Sequence, residues 1–126
     1  RSEALDRDVA EGRALGVPWA EVTGTFGHGG EPPVLRLAAA ADVEEAWRWY
    51  EARRVGLGDE FLDIVRASLE SIRAHPESAP VVHHDIRRHL LRRFPYGLFY
   101  RLIGEQVVVV ACFHAKRSPR VWTSHF

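Results

Sequence analysis

Two neighbouring stretches in the middle of the chain carry apolar residues at helical spacing. The first has the spacing i, i+3, i+4 and i+7, typical of one helix face, at Val43, Ala46, Trp47 and Tyr50. Asp42 lies three residues before Glu45, a capping-box pattern that predicts the start of this helix, and we expect it to end near Arg54. A second helix is predicted over 59–74, with an inner stripe of Phe61, Ile64, Val65, Ser68, Leu69 and Ile72. The connection over 55–58 is short, so we expect the two helices to form an antiparallel hairpin.

After Pro80 the hydrophobic period changes from 3.6 to 2, which is typical of strands. Three strands are predicted over 86–94, 96–103 and 106–114, and a short one precedes the helices over 34–37. Gly104 and Glu105 form a two-residue connection with glycine first, as a type II′ hairpin turn prefers. The predicted fold class is α+β, in the order β-α-α-β-β-β, with the helix hairpin on one face of an antiparallel sheet and the other face left to solvent or a partner.

A glycine- and proline-rich stretch divides the chain of 126 residues into three parts. We predict a preamble over 1–22, a linker over 23–33 and a single domain over 34–126. In the preamble, residues 2–13 predict a short helix and residues 14–19 an extended segment. The apolar residues expected to anchor the preamble on another surface are Leu5, Val9, Leu15, Val17 and Trp19.

The formal net charge of zero, from 17 basic and 17 acidic residues, conceals a strong asymmetry. Residues 1–31 have three basic and six acidic side chains, and residues 38–85 have five and ten. From residue 86 to the end there are eight basic side chains and one acidic side chain. A local positive field attracts anionic surfaces whatever the net charge is, so the asymmetry indicates a cationic binding region. The alternative is that the basic residues are close in sequence but dispersed over the folded domain.

The basic residues of the last third are interleaved with aromatic ones, which favours a binding surface. Guanidinium groups suit phosphate or carboxylate, and aromatic rings suit stacking. The predicted target-binding residues are Arg88, Arg92, Arg93, Tyr96, Arg101, Lys116, Arg117, Arg120 and Trp122. The alternative is that these arginines pair with the ten acidic residues of the helical half.

Most chemistry that needs a cofactor or a metal is disfavoured. The histidines at 83, 84, 89 and 114 lack the spacing of a metal site, and Cys112 lies in an apolar strand that predicts a buried thiol. We therefore expect no metal and no cofactor.

A single cysteine forms no internal disulfide and indicates a reducing, cytoplasmic compartment. The longest apolar run, 107–113, is far shorter than the roughly 20 residues of a membrane span, so no membrane partner is expected. Acid–base cleavage of RNA stays open, with His114, Lys116 and Arg117 as candidates.

Five motifs follow one another in the body of the chain: 42–50 (DVEEAWRWY), 56–61 (GLGDEF), 75–76 (HP), 92–96 (RRFPY) with Tyr100, and 114–122 (HAKRSPRVW). With these motifs, residues 34–123 resemble the RelE/ParE family of bacterial toxins from type II toxin–antitoxin systems, in the plasmid stabilisation branch. The resemblance implies an addiction module that inhibits growth, an antitoxin partner and the β-α-α-β-β-β fold that the periodicity predicts independently.

The resemblance allows two targets, since the RelE branch cuts mRNA on the ribosome and the ParE branch poisons DNA gyrase. The resemblance implies that ribonuclease members have basic residues at the positions that match Arg88 and Leu90. They have arginines at those that match Gly97 and Lys116, and a tyrosine at the one that matches Trp122. Only Arg88 and Lys116 keep a basic residue. This favours a ParE-like toxin that acts by binding. The alternatives are a RelE-like ribonuclease using Arg88, His114, Lys116 and Arg117, and an inactive, non-toxic fusion.

Residues 3–22 are similar to the C-terminal tail of the antitoxins paired with this branch, which ends in a helix followed by a "gly-val-pro-trp" segment. The resemblance implies an antitoxin tail fused to its own toxin. A short flexible linker would give the tail an effective concentration of about millimolar order. The tail would dock within its own chain or be exchanged in a dimer. The alternative is an arbitrary N-terminal extension.

Overall fold

The computed structural model describes residues 32–117, so the predictions for the preamble, most of the linker, Arg120 and Trp122 lie outside the described residues. Two helices, α1 (Leu37–Arg53) and α2 (Leu57–Ala74), pack against each other and on a five-stranded sheet. The strands are β1 (Val34–Leu35), β2 (Val81–His83), β3 (Ile86–Leu90), β4 (Tyr96–Ile103) and β5 (Gln106–His114). Their order is β1-β5-β4-β3-β2, with β1 parallel to β5 and the other pairs antiparallel. The α+β fold is confirmed.

Asp42 does not cap α1, because the helix begins five residues earlier at Leu37 and Arg36 takes the capping position without a side-chain bond. The Asp42 carboxylate instead accepts a hydrogen bond from the backbone N–H of Cys112 at 3.0 Å. β1 pairs only with Val108 and Val109 of β5, so the N–H of Cys112 lies beyond that pairing. The acid therefore joins α1 to the sheet.

The junction between the helices is held by Glu51 of α1, whose carboxylate accepts the backbone N–H groups of Gly56 and Gly58 at 2.9 Å each. These N–H groups lie at the start of α2, where a helix has no internal acceptors for them. Gly56 has φ of +92°, and a Cβ on Gly58 would come within 2.7 Å of Trp47. Both glycines of the 56–61 motif are thus required, and α2 begins at Leu57 rather than at the predicted residue 59.

The strands differ from the prediction in the first half of the sheet. β1 ends at Leu35 instead of residue 37. β3 ends at Leu90 instead of residue 94, and residues 91–95 form a loop closed by a hydrogen bond from Leu91 N–H to the carbonyl of Tyr96 at 2.9 Å. Arg93 in this loop has φ of +70°, which interrupts strand geometry. The sequence patterns missed β2, an edge strand of three residues.

The sheet separates two apolar clusters. Leu98, Tyr100 and Cys112 face the helices and join the larger cluster with α1 and α2. Phe99 and its neighbours face the other way and form a cluster to which, of the described elements, only strands contribute. The register shifts by one residue between Phe99 and Tyr100, so that Val110 of β5 is a bulge residue and faces the same side as Ala111.

Candidate functional site

The sheet surface turned away from the helices is the first candidate site, and we call it the strand face. It consists of Ile86, Phe99, Val108, Val110, Ala111 and Phe113, each between 0% and 8% exposed. Neither described helix contributes to this cluster, although its side chains are buried. The sequence prediction left this face to solvent or a partner; its apolar centre is not open to solvent, and neither described helix covers it.

Two cations lie at the ends of an aromatic row on the strand face. Arg88 of β3 is the register partner of Phe99, and the Phe99 and Phe113 rings have centroids 5.4 Å apart. The guanidinium carbon of Arg117 lies 4.9 Å from the centroid of Phe113, at cation–π distance. Arg88, Phe99, Phe113 and Arg117 thus form a charge–aromatic–aromatic–charge row.

Arg88 also fills the space beside Gly97. Its Cγ would lie 3.2 Å from a Cβ placed on Gly97, and its Nε is buried without a hydrogen-bond partner. Gly97 is the register partner of Leu90, which is 53% exposed. Three of the four positions that match basic residues of the ribonuclease members are thus adjacent, but they hold one arginine, one leucine and one glycine.

The other predicted cations are dispersed. Arg101 is the register partner of Val108 and forms an ion pair with Asp85 at 3.3 Å. Arg93 forms an ion pair with Glu60 of α2 at 2.9 Å, and this contact, followed by one from Arg54, lowers the pKa of the Glu60 carboxyl. The alternative in which arginines pair with the acids of residues 38–85 therefore applies to Arg93 and Arg101.

A pocket of about 500 Å³ lies between α1 and the adjoining ends of β4 and β5. We call it the α1 pocket. Its lining residues come from one stripe of α1, from the loop before β4 and the start of β4, and from the end of β5 and the turn after it: Asp42, Glu45, Ala46, Trp49, Tyr50, Pro95, Tyr96, Cys112, His114 and Arg117.

The α1 pocket combines aromatic rings with both signs of charge. The ring of Tyr96 lies 6.2 Å from that of Tyr50 and 5.2 Å from that of His114, between centroids. Burial raises the pKa of the Tyr96 and Tyr50 hydroxyls, so both stay protonated at neutral pH. His114 Nδ1 accepts the backbone N–H of Lys116 at 3.1 Å, which leaves Nε2 as the protonated nitrogen of the neutral ring.

The Cys112 thiol at the base of this pocket is buried, as the sequence predicts. Burial raises the pKa of this thiol well above its usual range, and the charge of Asp42 adds to the effect. The thiol therefore stays protonated, and it lacks the thiolate character of a nucleophile.

The structure divides the predicted site residues among several places. Arg88 and Arg101 lie on strands with partners in the strand face, Tyr96 and His114 line the α1 pocket, and Arg117 contributes to both. Arg92 and Lys116 are exposed in the loop before β4 and in the turn after β5. The sequence analysis missed the pocket residues Asp42, Glu45, Trp49 and Tyr50 as a group; their spacing of i, i+3, i+7 and i+8 on α1 was the available signal.

Residues 32–117 contain no group of three or more His, Cys, Asp or Glu side chains placed to hold a metal ion. Of the described helices, neither is long and apolar enough to cross a membrane.

Comparisons with known proteins place these features in a family. A search of curated proteins found no match. The solved structure of the chromosomal ParDE toxin–antitoxin system from P. aeruginosa shares the fold, with a TM-score of 0.51 and 17% sequence identity, over 65% of this chain and 92% of that chain. The family model for the ParE toxin of the type II toxin–antitoxin system parDE matches residues 34–119, which is more than half of the chain. The chain therefore belongs to the ParE toxin family of type II toxin–antitoxin systems.

Proposed function

We propose that this ParE-family toxin inhibits growth by binding its target, DNA gyrase, and not by cleaving RNA. The observation that carries the proposal is the set of residues beside the strand face, Arg88, Leu90 and Gly97. Acid–base cleavage of RNA needs a proton acceptor, a proton donor and positive charge at the scissile phosphate. Leu90 and Gly97 supply none of these, and the stem of Arg88 occupies the space that a larger side chain at Gly97 would need.

The residues proposed to contact the target lie beside the strand face, in the loop before β4, at the start of β4 and in the turn that follows β5. Arg88, Arg92, Lys116 and Arg117 have no ion pair with any described residue, so their charges are available to an anionic partner. Tyr96, Arg93 and Arg101 belong to the same proposed set, together with Arg120 and Trp122 outside the described residues.

We further propose that residues 3–22 act as an antitoxin segment that neutralises the toxin domain. The strand face supports this proposal because its apolar side chains are buried although neither described helix contributes to them. A segment that binds this face needs apolar side chains between two carboxylates, because the row from Arg88 to Arg117 has aromatic rings between two cations. The preamble has this composition, with Glu11 and Glu21 on either side of Leu15, Val17 and Trp19. Docking within the chain and exchange in a dimer both satisfy the proposal.

Expression of residues 32–126 in a bacterial host, with and without residues 1–22 supplied from a second plasmid, tests both proposals. We expect growth arrest without the preamble and normal growth with it. We also expect residues 32–126 to inhibit supercoiling by purified gyrase. In the full-length chain, Val17→Asp together with Trp19→Ala should also release toxicity. Arg88→Ala in the toxic protein should restore growth, whereas Arg66→Ala on α2 should not.

Other outcomes point to the alternatives. Cleaved mRNA in a translating extract, abolished by Lys116→Ala or His114→Ala, would support a RelE-like ribonuclease. Normal growth and full gyrase activity with every variant would instead support the inactive, non-toxic fusion. Persistent growth arrest when the preamble is supplied in trans would contradict the antitoxin role of residues 3–22.

A further inference from the structure

The α1 pocket has the shape of a ligand site that is separate from the strand row of Arg88, Phe99 and Phe113. Its volume of about 500 Å³ falls in the range of small-molecule and side-chain pockets, roughly 300 to 1,000 Å³. One wall is a continuous stripe of α1, and the opposite wall is the end of the β4–β5 pair. A helix and two strands thus hold most of its lining side chains.

Aromatic rings form much of the pocket wall. Trp49 and Tyr50 are perpendicular with centroids 5.1 Å apart, and Tyr96 lies 6.2 Å from Tyr50. Trp49 is 51% exposed at the mouth of the pocket, which is unusual for the largest apolar side chain. The faces of such rings attract cations, most strongly for tryptophan.

The polar groups of the pocket favour a positively charged ligand. Glu45 and the hydroxyls of Tyr50 and Tyr96 form no ion pair or hydrogen bond with any described residue, so they are acceptors without a protein donor. Asp42, whose carboxylate accepts the N–H of Cys112, adds a second carboxylate, and Arg117 is the one permanent cation among the described lining residues. The described lining therefore has a formal charge of one negative unit, which favours a cation over an anion.

Trp49 already stacks on a guanidinium group from its own helix. The guanidinium carbon of Arg53, which is not a lining residue, lies 3.9 Å from the centroid of the Trp49 ring. A guanidinium is planar, stacks on aromatic rings and presents five N–H donors in a fixed fork. It matches a carboxylate and two phenol oxygens better than the compact ammonium of lysine does.

We propose that the α1 pocket binds an arginine side chain of a partner protein, with the guanidinium on Glu45 and between the aromatic rings. The half-exposed indole of Trp49 at the mouth supplies further apolar contact to the segment that carries the arginine, as aromatic anchors do in protein interfaces. This site is distinct from the Arg88 end of the strand face, and its occupancy does not depend on toxicity or on gyrase.

Binding of blocked amino acids to the full-length chain tests the proposal by NMR, with the side-chain resonances of Trp49, Tyr96 and His114 as reporters. The probes are the N-acetyl N′-methylamides of arginine, lysine and citrulline; citrulline has nearly the shape of arginine without its charge. We expect saturable shifts with arginine and a dissociation constant of about millimolar order. Lysine should bind several-fold more weakly, and citrulline at least fivefold more weakly.

Glu45→Gln should weaken binding of the arginine probe at least threefold. Asp63→Asn is the matched control, because Asp63 is an exposed acid on α2 outside the pocket and its replacement changes the net charge equally. The far-ultraviolet circular dichroism of both variants should equal that of the parent. Equal affinity for arginine and citrulline, the absence of saturable shifts at the three reporters, or an equal loss of binding in both variants would overturn the proposal.

Discussion

Removal of the Glu51 carboxylate is expected to loosen the junction between α1 and α2. The carboxylate accepts two backbone N–H groups, from Gly56 and Gly58, at 2.9 Å each. Hydrogen bonds to a charged partner contribute about 1.5 to 3 kcal/mol each when they are well shielded. The junction is partly buried, and truncation to alanine lets water reach the released N–H groups. We therefore expect Glu51→Ala to lower the free energy of unfolding by about 2 kcal/mol in total, below the sum for two shielded bonds.

Urea unfolding of the full-length chain, followed by far-ultraviolet circular dichroism, measures this loss. Glu51→Gln keeps one acceptor oxygen, so its stability should lie between those of Glu51→Ala and the parent chain. Glu70→Ala is the control, since the Glu70 carboxylate is exposed and lies 4.0 Å from Arg66. Such a pair contributes about 0 to 0.5 kcal/mol. Equal midpoints for Glu51→Ala and Glu70→Ala would refute the reasoning that these two bonds hold the helix hairpin together.

Three further substitutions and one labelling experiment test other parts of the structure. Gly58→Ala should cost about 1 to 3 kcal/mol in the same unfolding assay, because its Cβ would overlap Trp47 at 2.7 Å; an unchanged midpoint would mean that the indole moves freely. Asp42→Ala should cost about 2 kcal/mol, and Asp42→Asn less, because the amide oxygen still accepts a hydrogen bond. Arg93→Gly should be about 1 kcal/mol more stable than Arg93→Ala, because φ of +70° suits glycine, and the reverse order would contradict that backbone geometry. Cys112 should react with a disulfide reagent at neutral pH only after unfolding in urea, because burial raises the pKa of its thiol; rapid labelling of the native chain would argue against that burial.

Local sequence patterns predict the bounds of an element correctly where the hydrophobic pattern ends at the same residue as the element. β4 and β5 have their predicted bounds, since Gly104 sets the turn between two alternating runs and has the positive φ that the first position of a type II′ turn requires. β3 was predicted four residues too long, because residues 91–94 continue the alternation although Arg93 adopts positive φ. β2 has no pattern of its own and exists through its pairing with β3.

Local sequence patterns could not predict the α1 pocket, for a different reason. Asp42 and Glu45 fit a capping box, and Tyr50 fits the inner stripe of a helix, so each residue has a sufficient local explanation. What makes them a site is the end of β5, which approaches from 70 positions further along the chain, as the bond between Asp42 and Cys112 shows. Such long-range placement follows from the sheet order and not from spacing.

Only some of the cations in the basic last third of the chain are available to a binding partner, which limits the chemistry that the partner can use. Arg87 donates to the carbonyls of Glu77 and Ala79 at 3.0 and 2.6 Å, and Arg93 and Arg101 have carboxylate partners, so three cations stabilise the domain itself. Beside the strand face, Arg88 and Arg117 form no ion pair with any residue of 32–117, and two phenylalanines lie between them. A peptide that carries apolar side chains between two carboxylates would match the whole row, which is the composition proposed above for residues 3–22.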